Sequence, residues 1–366
     1  MINSILDLDQ FLSDKSFKKI FILCGKTSYS SSGAEKILER ILSNKKCKFY
    51  FKNSKIPVYN ELLKIISTIR GFNPDLILAI GGGSVIDYAK IANIVEPVDN
   101  LKDLILNYSF PFKKRFTKLA VIPTTAGSGA EVTSNAVIYL NSIKYSFESD
   151  LLIPNYFFLI PEFIMSSSNV IKASAGFDAI AQALESLIAN KSNDTSVDFA
   201  TKSLKISTNS FISFLDNSNA KNSSEMLIAS NLAGKAINIS KTTVPHAVSY
   251  PFTSLYNVDH GHAVSLFFED FFKFNYNHLD KSKTTFDLKK RFDLIFSIFN
   301  VDNINDFCLK ISDFKNKAKL EDDLSSLNVD FKKNSENIIK GINFLRLNNN
   351  PISINDQDIF NIISRK

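Results

Sequence analysis

The sequence predicts an α/β domain followed by an all-helical domain, and three observations support this fold class. The chain has 366 residues, which is too long for one ordinary hydrophobic core. Between residues 18 and 122, short apolar runs alternate with amphipathic patterns, which is typical of a parallel sheet covered by helices. From about residue 165 onward the pattern is helical. We therefore expect a Rossmann-like α/β domain over residues 1–164 and an all-α domain over residues 165–366.

Four apolar runs predict the main strands of the first domain: KIFILCG, CKFYF, DLILAIGGG and KLAVIPTT. The segments between them, AEKILERIL, ELLKIISTI and SVIDYAKIANIV, have the apolar spacing of helices. The segment EVTSNAVIYLNSIKYSFESD (131–150) predicts a hairpin, and FFLIPEF predicts a last strand that ends the domain. Strands that end at Gly25 and Gly81 bring the following loops to the carboxyl edge of the sheet, where open α/β sheets bind ligands.

The second half contains long amphipathic runs such as FDAIAQALESLIA, SVDFATKSLKIST and EMLIASNLAGKAI. Polar segments at 190–196 and 216–224 predict the connections between these helices. The tail after residue 315 is rich in Asn and Lys, but it is still periodically apolar. We therefore expect surface helices there instead of disorder.

The composition excludes several classes of protein. A hydrophobic content of 45% with 22% charged residues is typical of a soluble globular protein. The net charge of +6 is modest, and lysines alternate with acids, so we expect no nucleic-acid partner. The longest apolar run, LLIPNYFFLIPEFIM, is interrupted by prolines and a glutamate and predicts no membrane span. The start, MINSILDLDQ, lacks the pattern of a secretory signal, so we expect a cytoplasmic protein.

Two glycine-rich segments, AIGGGSVIDYAK (79–90) and PTTAGSGAEVTS (123–134), each follow a predicted strand. Glycines let backbone N–H groups approach a phosphate, and a helix N-terminus adds a partial positive charge. One glycine triplet alone is also compatible with a simple tight turn. Two such loops on neighbouring strand ends, the second rich in hydroxyl groups, predict a dinucleotide site.

Two of the four histidines, His246 and His260, stand fourteen residues apart, downstream of Asp178 and Gln182. Asp178 and Gln182 are one helical turn apart and therefore point the same way. Together these four residues have the donor types of a divalent metal site, and both Zn²⁺ and Fe²⁺ accept them. A metal beside a nicotinamide suggests hydride transfer to a carbonyl.

The string GGGSxxDxAK followed by PTTAGSGxEVT resembles the iron-containing (group III) alcohol dehydrogenases, and the resemblance extends over essentially the whole chain. It implies a nucleotide-binding α/β domain, an all-helical metal domain of the dehydroquinate synthase-like architecture, and a catalytic cleft between them. The residues that it implies for the cofactor, together with those expected from their position, are Gly81, Gly82, Gly83, Ser84, Asp87, Thr124, Thr125, Ser128, Thr133 and Lys144.

The cofactor preference depends on the end of the first strand. Many members of the family have an aspartate there, which repels a ribose 2′-phosphate, whereas this chain has Gly25 followed by Lys26. A missing anion beside a cation favours NADPH. The alternative is that Gly25 only makes a turn and that NADH and NADPH both bind.

The resemblance also implies metal ligands at Asp178, His246 and His260, while Gln182 replaces a histidine of the family. Gln182 can offer its carbonyl oxygen to the metal, or it can be a buried amide that binds its neighbours. A further family histidine near the nicotinamide is Tyr250 here. Tyr250 and His262 are therefore candidates for proton donation, although packing is an equally good reading of Tyr250.

The predicted substrate residues precede a helix whose first turn contains Pro245, and they are Asn238, Lys241, Thr242 and Thr243. Hydroxyls, free N–H groups and a lysine at a helix start suit an anionic substrate group. The strings AGKAINISKTT, PHAVSYP and HGHAVSL, with glutamine in the metal helix, resemble the phosphonoacetaldehyde reductase branch, which reduces phosphonoacetaldehyde to 2-hydroxyethylphosphonate. The alternative is that these residues only cap the helix.

We therefore expect a metal-dependent, NADPH- or NADH-linked reduction of an aldehyde to a primary alcohol, with phosphonoacetaldehyde as substrate. The alternatives are a reductase of other short or anionic aldehydes such as succinic semialdehyde, a dehydroquinate synthase-like lyase, and a relative that has lost its metal. The expected partner is a small anionic aldehyde, without nucleic acid or membrane. The sequence leaves the oligomeric state open, and a homodimer is compatible with it.

Overall fold

A computed structural model describes residues 2–96 and 100–365, except for the side chains of residues 344 and 345. The chain forms two compact units. The first unit comprises Met1–Ser167 with Ser218–Ile228, and the second comprises Ser168–Asn217 with Ala229–Lys366. None of the described helices is long and apolar enough to cross a membrane.

The first unit contains seven strands among its described residues: β1 (Lys19–Gly25), β2 (Lys46–Lys52), β3 (Leu76–Gly81), β4 (Lys118–Pro123), β5 (Asn135–Leu140), β6 (Ile143–Glu148) and β7 (Tyr156–Phe157). Five of them form a sheet in the order β2-β1-β3-β4-β7, and each strand pair of this sheet is parallel. A separate antiparallel pair is formed by β5 and β6. The predicted parallel sheet is thus confirmed.

Helices cover both faces of this sheet. They are α1 (Ile5–Leu12), α2 (Lys26–Ser31), α3 (Ala34–Ile41), α4 (Tyr59–Phe72), α5 (Gly83–Ile94), α6 (Leu101–Leu106) and α7 (Glu162–Met165). Successive strand residues point to opposite faces. Phe21 and Ile77 therefore belong to one buried cluster, whereas Ile22 and Leu78 belong to another.

The hairpin predicted over residues 131–150 is present as β5 and β6. Its two turn residues, Asn141 and Ser142, have positive φ angles of 51° and 64°, as short hairpin turns require. The last strand is much shorter than predicted, because only Tyr156–Phe157 pairs with β4. Pro161 has helical dihedral angles and leads directly into α7, and it has no N–H for a strand ladder.

Every regular element of the second unit, within the described part of the chain, is helical, as predicted. The α-helices from residue 169 onward are α8 (Asn169–Ile188), α9 (Asp194–Asp216), α10 (Ala220–Ser240), α11 (Val244–Tyr256), α12 (His260–Ser265), α13 (Phe268–Asn277), α14 (Leu288–Phe299), α15 (Ile304–Lys317), α16 (Phe331–Lys340), α17 (Phe344–Leu347) and α18 (Asp356–Ile363). α10 contains residues of both units.

The central helix of the second unit is α8. It begins after Ser168, whose side chain accepts a hydrogen bond from the Ile171 N–H. Almost all of its residues from 172 onward are buried, so it can carry polar side chains into the interior. Asp178, Gln182 and Glu185 follow one another at spacings of four and three residues and therefore share one face.

Candidate metal centre and nucleotide loops

The structure brings Asp178, His246 and His260 together from α8, α11 and α12. One ligand atom from each of these residues lies within 4.8 Å of the others. Asp178 and His246 are each only 4% exposed, whereas His260 is partly accessible. Two imidazole nitrogens and one carboxylate oxygen at this separation have the donor chemistry of a divalent metal site. Three protein ligands leave a coordination position open to a ligand that is not part of the protein.

Gln182 lies at the same cluster and contacts Asp178. Its Nε2 donates a hydrogen bond of 3.0 Å to Asp178 Oδ2. Its Oε1 is buried and has no hydrogen-bond partner among the described residues. If the Gln182 amide were turned over, its Oε1 would face Asp178 Oδ2, and both atoms are acceptors. The observed orientation, in which Nε2 donates, is therefore favoured. An orphaned buried oxygen costs about 1–3 kcal/mol, and a cation nearby would remove this cost. The donor set therefore fits a divalent metal.

We expect Gln182→His to strengthen metal binding, because imidazole is a better donor than an amide oxygen for zinc and iron. Gln182→Ala is expected to weaken it by about tenfold, whether the amide binds the metal or only orients Asp178. Competition titration of the metal-free proteins with zinc checks both changes. Equal metal affinities in wild type and both variants would contradict a role for Gln182.

A second carboxylate, Glu185, holds His246 from the other side, and the sequence prediction missed it. Glu185 is fully buried, and its Oε1 makes a short hydrogen bond with His246 Nδ1. Its Oε2 accepts the backbone N–H of Thr243 at 2.6 Å and the Thr243 hydroxyl at 2.8 Å. Because a carboxylate accepts, Nδ1 carries the proton and Nε2 is the nitrogen available to a metal.

The carboxylates also control the charge of His246. Burial alone would lower the pKa of this imidazole, but Glu185 and Asp178 outweigh burial and raise its pKa to about 10. Without a metal, Nε2 therefore also carries a proton, which it donates to Asp178 Oδ1 at 3.2 Å. Metal binding at Nε2 has to release this proton.

His260 is the first residue of α12, and two aromatic side chains surround it. The ring of Tyr250 stacks on it with a centroid distance of 5.9 Å and an interplanar angle of 23°. The ring of His246 meets it edge-on at 5.4 Å. The structure thus places Tyr250, the candidate for proton donation, beside the three candidate metal ligands.

The position of α12 depends on Gly261, which the sequence prediction also missed. A Cβ atom at Gly261 would lie 1.9 Å from the backbone oxygen of Ser174 and 2.9 Å from Cβ of Asp178. Only a residue without a side chain permits α12 to approach α8 this closely. The same close approach brings His260 to Asp178.

We expect Gly261→Ala to destabilise the protein by about 3 kcal/mol or more and to weaken metal binding, because backbone atoms must move to admit the methyl group. Gly71→Ala is the matched control, since this glycine lies in α4 with nothing within 4 Å of an added Cβ. Chemical denaturation and metal titration of both variants check the prediction. A Gly261→Ala protein as stable as wild type would contradict the close packing of α12 against α8 at Ser174.

His262, the other candidate for proton donation, makes two hydrogen bonds. Its Nε2 lies 2.7 Å from the carbonyl oxygen of Glu321, and a carbonyl only accepts, so Nε2 is the donor. Its backbone N–H donates to the Ser174 hydroxyl at 3.1 Å. These contacts give His262 a part in holding α12 and the segment at Glu321.

Two of the predicted substrate residues, Thr242 and Thr243, make hydrogen bonds with other residues of the protein. Thr243 is not a free donor at the start of α11, because Glu185 accepts both its N–H and its hydroxyl. The carboxylate also occupies the positive end of this helix, which disfavours a second anion there. The Thr242 carbonyl accepts from Asn349 Nδ2 at 2.9 Å. Thr243 therefore offers no free donor at the helix start, whereas Asn238 and Lys241 are partly exposed.

In the first unit, β3 ends at Gly81 and α5 begins at Gly83, so the turn of residues 81–84 is the first glycine loop. The Thr124 N–H donates to the Gly81 carbonyl at 3.1 Å, which joins it to the second glycine loop (residues 123–134). A Cβ at Gly82 would lie 3.3 Å from Thr125 Oγ1, and one at Gly83 would lie 3.0 Å from Ser128 Oγ. The hydroxyls of the second loop thus lie directly against the first loop, and Ser84 follows on the first turn of α5.

Asp87, Thr133 and Lys144, which are also predicted for the cofactor, interact with other residues of the first unit. The Asp87 carboxylate accepts the backbone N–H of Val137, and burial raises its pKa to about 6 against the opposing effect of Lys90 and Lys144. The Thr133 hydroxyl accepts from Lys90 Nζ at 3.1 Å. Thr133 is buried and its hydroxyl is satisfied by Lys90, whereas Asp87 and Lys144 are partly exposed.

Gly25 ends β1 and caps α2 with an extended φ of −86°, so a residue with a side chain can adopt this conformation. An added Cβ would meet the movable Ser28 hydroxyl at 2.9 Å and Lys52 Cε at 3.9 Å. Lys26 is exposed on the first turn of α2. The end of β1 therefore has two lysines nearby and no carboxylate of its own.

Comparison with known proteins agrees with these observations. Residues 2–161 match the family model for iron-containing alcohol dehydrogenase, and residues 172–366 match the model for the C-terminal part of the Fe-containing alcohol dehydrogenase family. The 4-hydroxybutyrate dehydrogenase of Clostridium kluyveri is 33% identical over 217 residues, which cover 58% of each protein. The chain thus spans less than two thirds of that relative's length.

Solved structures support the same fold. An archaeal halo-thermophilic alcohol dehydrogenase from a Red Sea brine pool superposes with a TM-score of 0.89 at 19% identity, covering 100% of this chain and 96% of that one. The sulfoacetaldehyde reductase of Bifidobacterium kashiwanohense, solved in complex with NAD⁺, gives a TM-score of 0.86 at 21% identity with the same coverage. Both family models together account for most of the sequence. The chain belongs to the iron-containing alcohol dehydrogenase family.

Proposed function

We propose that this protein is a metal-dependent, NAD(P)H-linked aldehyde reductase. The observation that carries the proposal is the cluster of Asp178, His246 and His260. A divalent metal held there would act as a Lewis acid toward a carbonyl oxygen, and a bound nicotinamide would be the hydride source. Zn²⁺ and Fe²⁺ both suit the donor set. The matches to both family models favour this reaction over a dehydroquinate synthase-like lyase.

Several residues of the chain then have definite tasks. Glu185 keeps His246 in the form that offers Nε2 to the metal. Tyr250, stacked on His260, is the proposed proton donor to the product alkoxide. The N-terminus of α5 has no side-chain cap, so its free N–H groups are suited to the cofactor pyrophosphate.

The proposed cofactor is NADPH, with NADH as an alternative. At the end of β1, Gly25 provides no carboxylate to repel a 2′-phosphate, and Lys26 and Lys52 supply positive charge nearby. The Bifidobacterium sulfoacetaldehyde reductase was solved with NAD⁺, which supports retaining NADH as the alternative.

The proposed substrate is a short aldehyde with an anionic tail. The names of two similar proteins, a 4-hydroxybutyrate dehydrogenase and a sulfoacetaldehyde reductase, refer to a carboxylate and a sulfonate. We place phosphonoacetaldehyde first and succinic semialdehyde second. Since Thr243 is bound to Glu185, recognition of the anion depends on Lys241, with Asn238 one turn before it. Lys241 has a left-handed φ of 60° directly after α10, and Asn238 lies in the last turn of that helix.

We expect Lys241→Ala to lower kcat/KM for phosphonoacetaldehyde by about 10- to 100-fold, because a hydrogen bond to a charged group contributes about 1.5–3 kcal/mol. Propanal, which has no anion, should be reduced at an almost unchanged rate. Initial rates with NADPH and NADH, measured for phosphonoacetaldehyde, succinic semialdehyde and propanal, test both the reaction and the substrate class.

Lys205→Ala, on the exposed surface of α9, is the control for the loss of one surface charge. A Lys241→Ala protein that loses activity toward propanal and phosphonoacetaldehyde equally would contradict the anion contact. A wild-type protein that oxidises neither NADPH nor NADH with any of the three aldehydes would contradict the proposed function itself.

A further inference from the structure

α5 carries a lysine that the proposed chemistry does not use. Lys90 is fully buried. Its Nζ donates to the Thr133 carbonyl at 2.8 Å, to the Thr133 hydroxyl at 3.1 Å and to the Asn135 carbonyl at 3.1 Å. An ammonium group has three N–H donors, so these contacts satisfy all of them.

Lysine side chains are usually exposed to solvent, so a fully buried lysine such as Lys90 is unusual. Burial lowers its pKa to about 8, while the neighbouring Asp87 and Glu131 favour its charged form. Transfer of an ammonium into the interior is costly unless it is paired and fully hydrogen-bonded. A buried lysine that meets this condition fixes the three acceptors around it in one arrangement.

These acceptors lie at the far end of the second glycine loop. The near end of that loop is bound to the first glycine loop through the Thr124 N–H and the Gly81 carbonyl. Between the two ends, the hydroxyls of Thr125 and Ser128 lie against Gly82 and Gly83. The second loop is therefore attached at both ends to the strand β3 and helix α5 that carry the first loop.

We propose that Lys90 is a positioning residue for the cofactor site, which holds the second glycine loop so that the hydroxyls of Thr125 and Ser128 stay beside the first loop. This inference rests on the proposed binding of a dinucleotide at these loops. Lys90 itself is not proposed to contact the cofactor, because its three donors bond Thr133 and Asn135. It acts through Thr133 and Asn135, and its loss frees one end of the loop.

Lys90→Met tests this role, because methionine fills a similar volume without donors. We expect its dissociation constant for NADPH, measured by cofactor fluorescence, to rise by about tenfold, because cofactor binding must then also order the freed end of the loop. Amide hydrogen exchange should become faster in residues 123–134 and remain unchanged in β3 and β4. Zinc affinity should remain unchanged because the metal ligands lie in the second unit.

Lys315→Met is the matched control. Lys315 is also a buried lysine, but it pairs with Glu269 in the second unit, at 2.8 Å. Its loss should reduce stability without changing NADPH affinity. Thr133→Val removes only one of the three acceptors, so we expect a smaller rise in the dissociation constant, about threefold, with faster exchange of the same loop.

Wild-type NADPH affinity and wild-type loop exchange in Lys90→Met would overturn the inference. If Lys90→Met does not fold, the same two wild-type values in Thr133→Val would overturn it. A wild-type protein that binds neither NADPH nor NADH would overturn the proposed function, and the inference would fail with it. Normal cofactor binding by wild type with no effect of either variant would overturn the inference alone.

Discussion

Replacing Glu185 with glutamine is expected to lower the affinity for a divalent metal by about 10- to 100-fold, the usual cost of losing a partner behind a metal ligand. The substitution preserves the volume of a fully buried side chain, so the fold should tolerate it. The expected effect comes from the proton on His246 and not from a cavity.

The reason is the pattern of donors around Glu185. Its Oε2 accepts two hydrogen bonds from Thr243, so a glutamine must turn its carbonyl oxygen to Thr243 and its NH₂ group to His246. The NH₂ group then requires His246 Nδ1 to accept. Neutral His246 would carry its proton on Nε2, the atom that faces Asp178. A metal ligand must have that nitrogen free.

Ser186→Ala is the control, because Ser186 is equally buried on α8 but its hydroxyl contacts Ser240. Competition titration with zinc gives the affinities of both variants, and thermal unfolding shows whether each remains folded. A Glu185→Gln protein with wild-type metal affinity would mean that Glu185 stabilises the helix start only.

The main features of the first unit could be predicted from local patterns. In AIGGGSVIDYAK a buried strand, a turn without side chains and a helix follow one another, and each has a local cause. Gly81 is required because a Cβ would lie 2.5 Å from Val85 of the following helix turn. The predicted length of β7 is too great because the apolar run continues beyond Phe157, the last paired residue, up to Pro161, which leads into α7.

The residues that the prediction missed depend on contacts between distant parts of the sequence. Glu185 looks like an ordinary polar position on an amphipathic helix, and its partners Thr243 and His246 are far along the chain. Gly261 could be recognised as essential only once α12 lies against Ser174. Thr243 was predicted as a free donor for the same reason, since its partner Glu185 was not foreseen. The indication available in the sequence was the position of Glu185, three residues after Gln182 and therefore on the same face of the helix.

Replacing His260 with alanine is expected to abolish metal binding at micromolar concentrations and to abolish turnover. Removal of a direct ligand should cost more than the roughly 100-fold that loss of an outer partner costs. His260 is the partly accessible member of the cluster, so its loss should disturb packing less than the loss of the buried His246. His278→Ala is the control, because His278 directly follows α13 and its Nδ1 donates to the Phe274 carbonyl of that helix at 2.8 Å.

The most direct test of the metal centre is an equilibrium titration of metal-free wild type, His246→Ala, His260→Ala and His278→Ala with zinc, repeated with ferrous iron without oxygen. We expect one tightly bound metal per chain in wild type and in His278→Ala, and none in the other two variants. Binding of one metal with wild-type affinity by His246→Ala or His260→Ala, or no binding by wild type, would contradict the assignment of Asp178, His246 and His260 as its ligands.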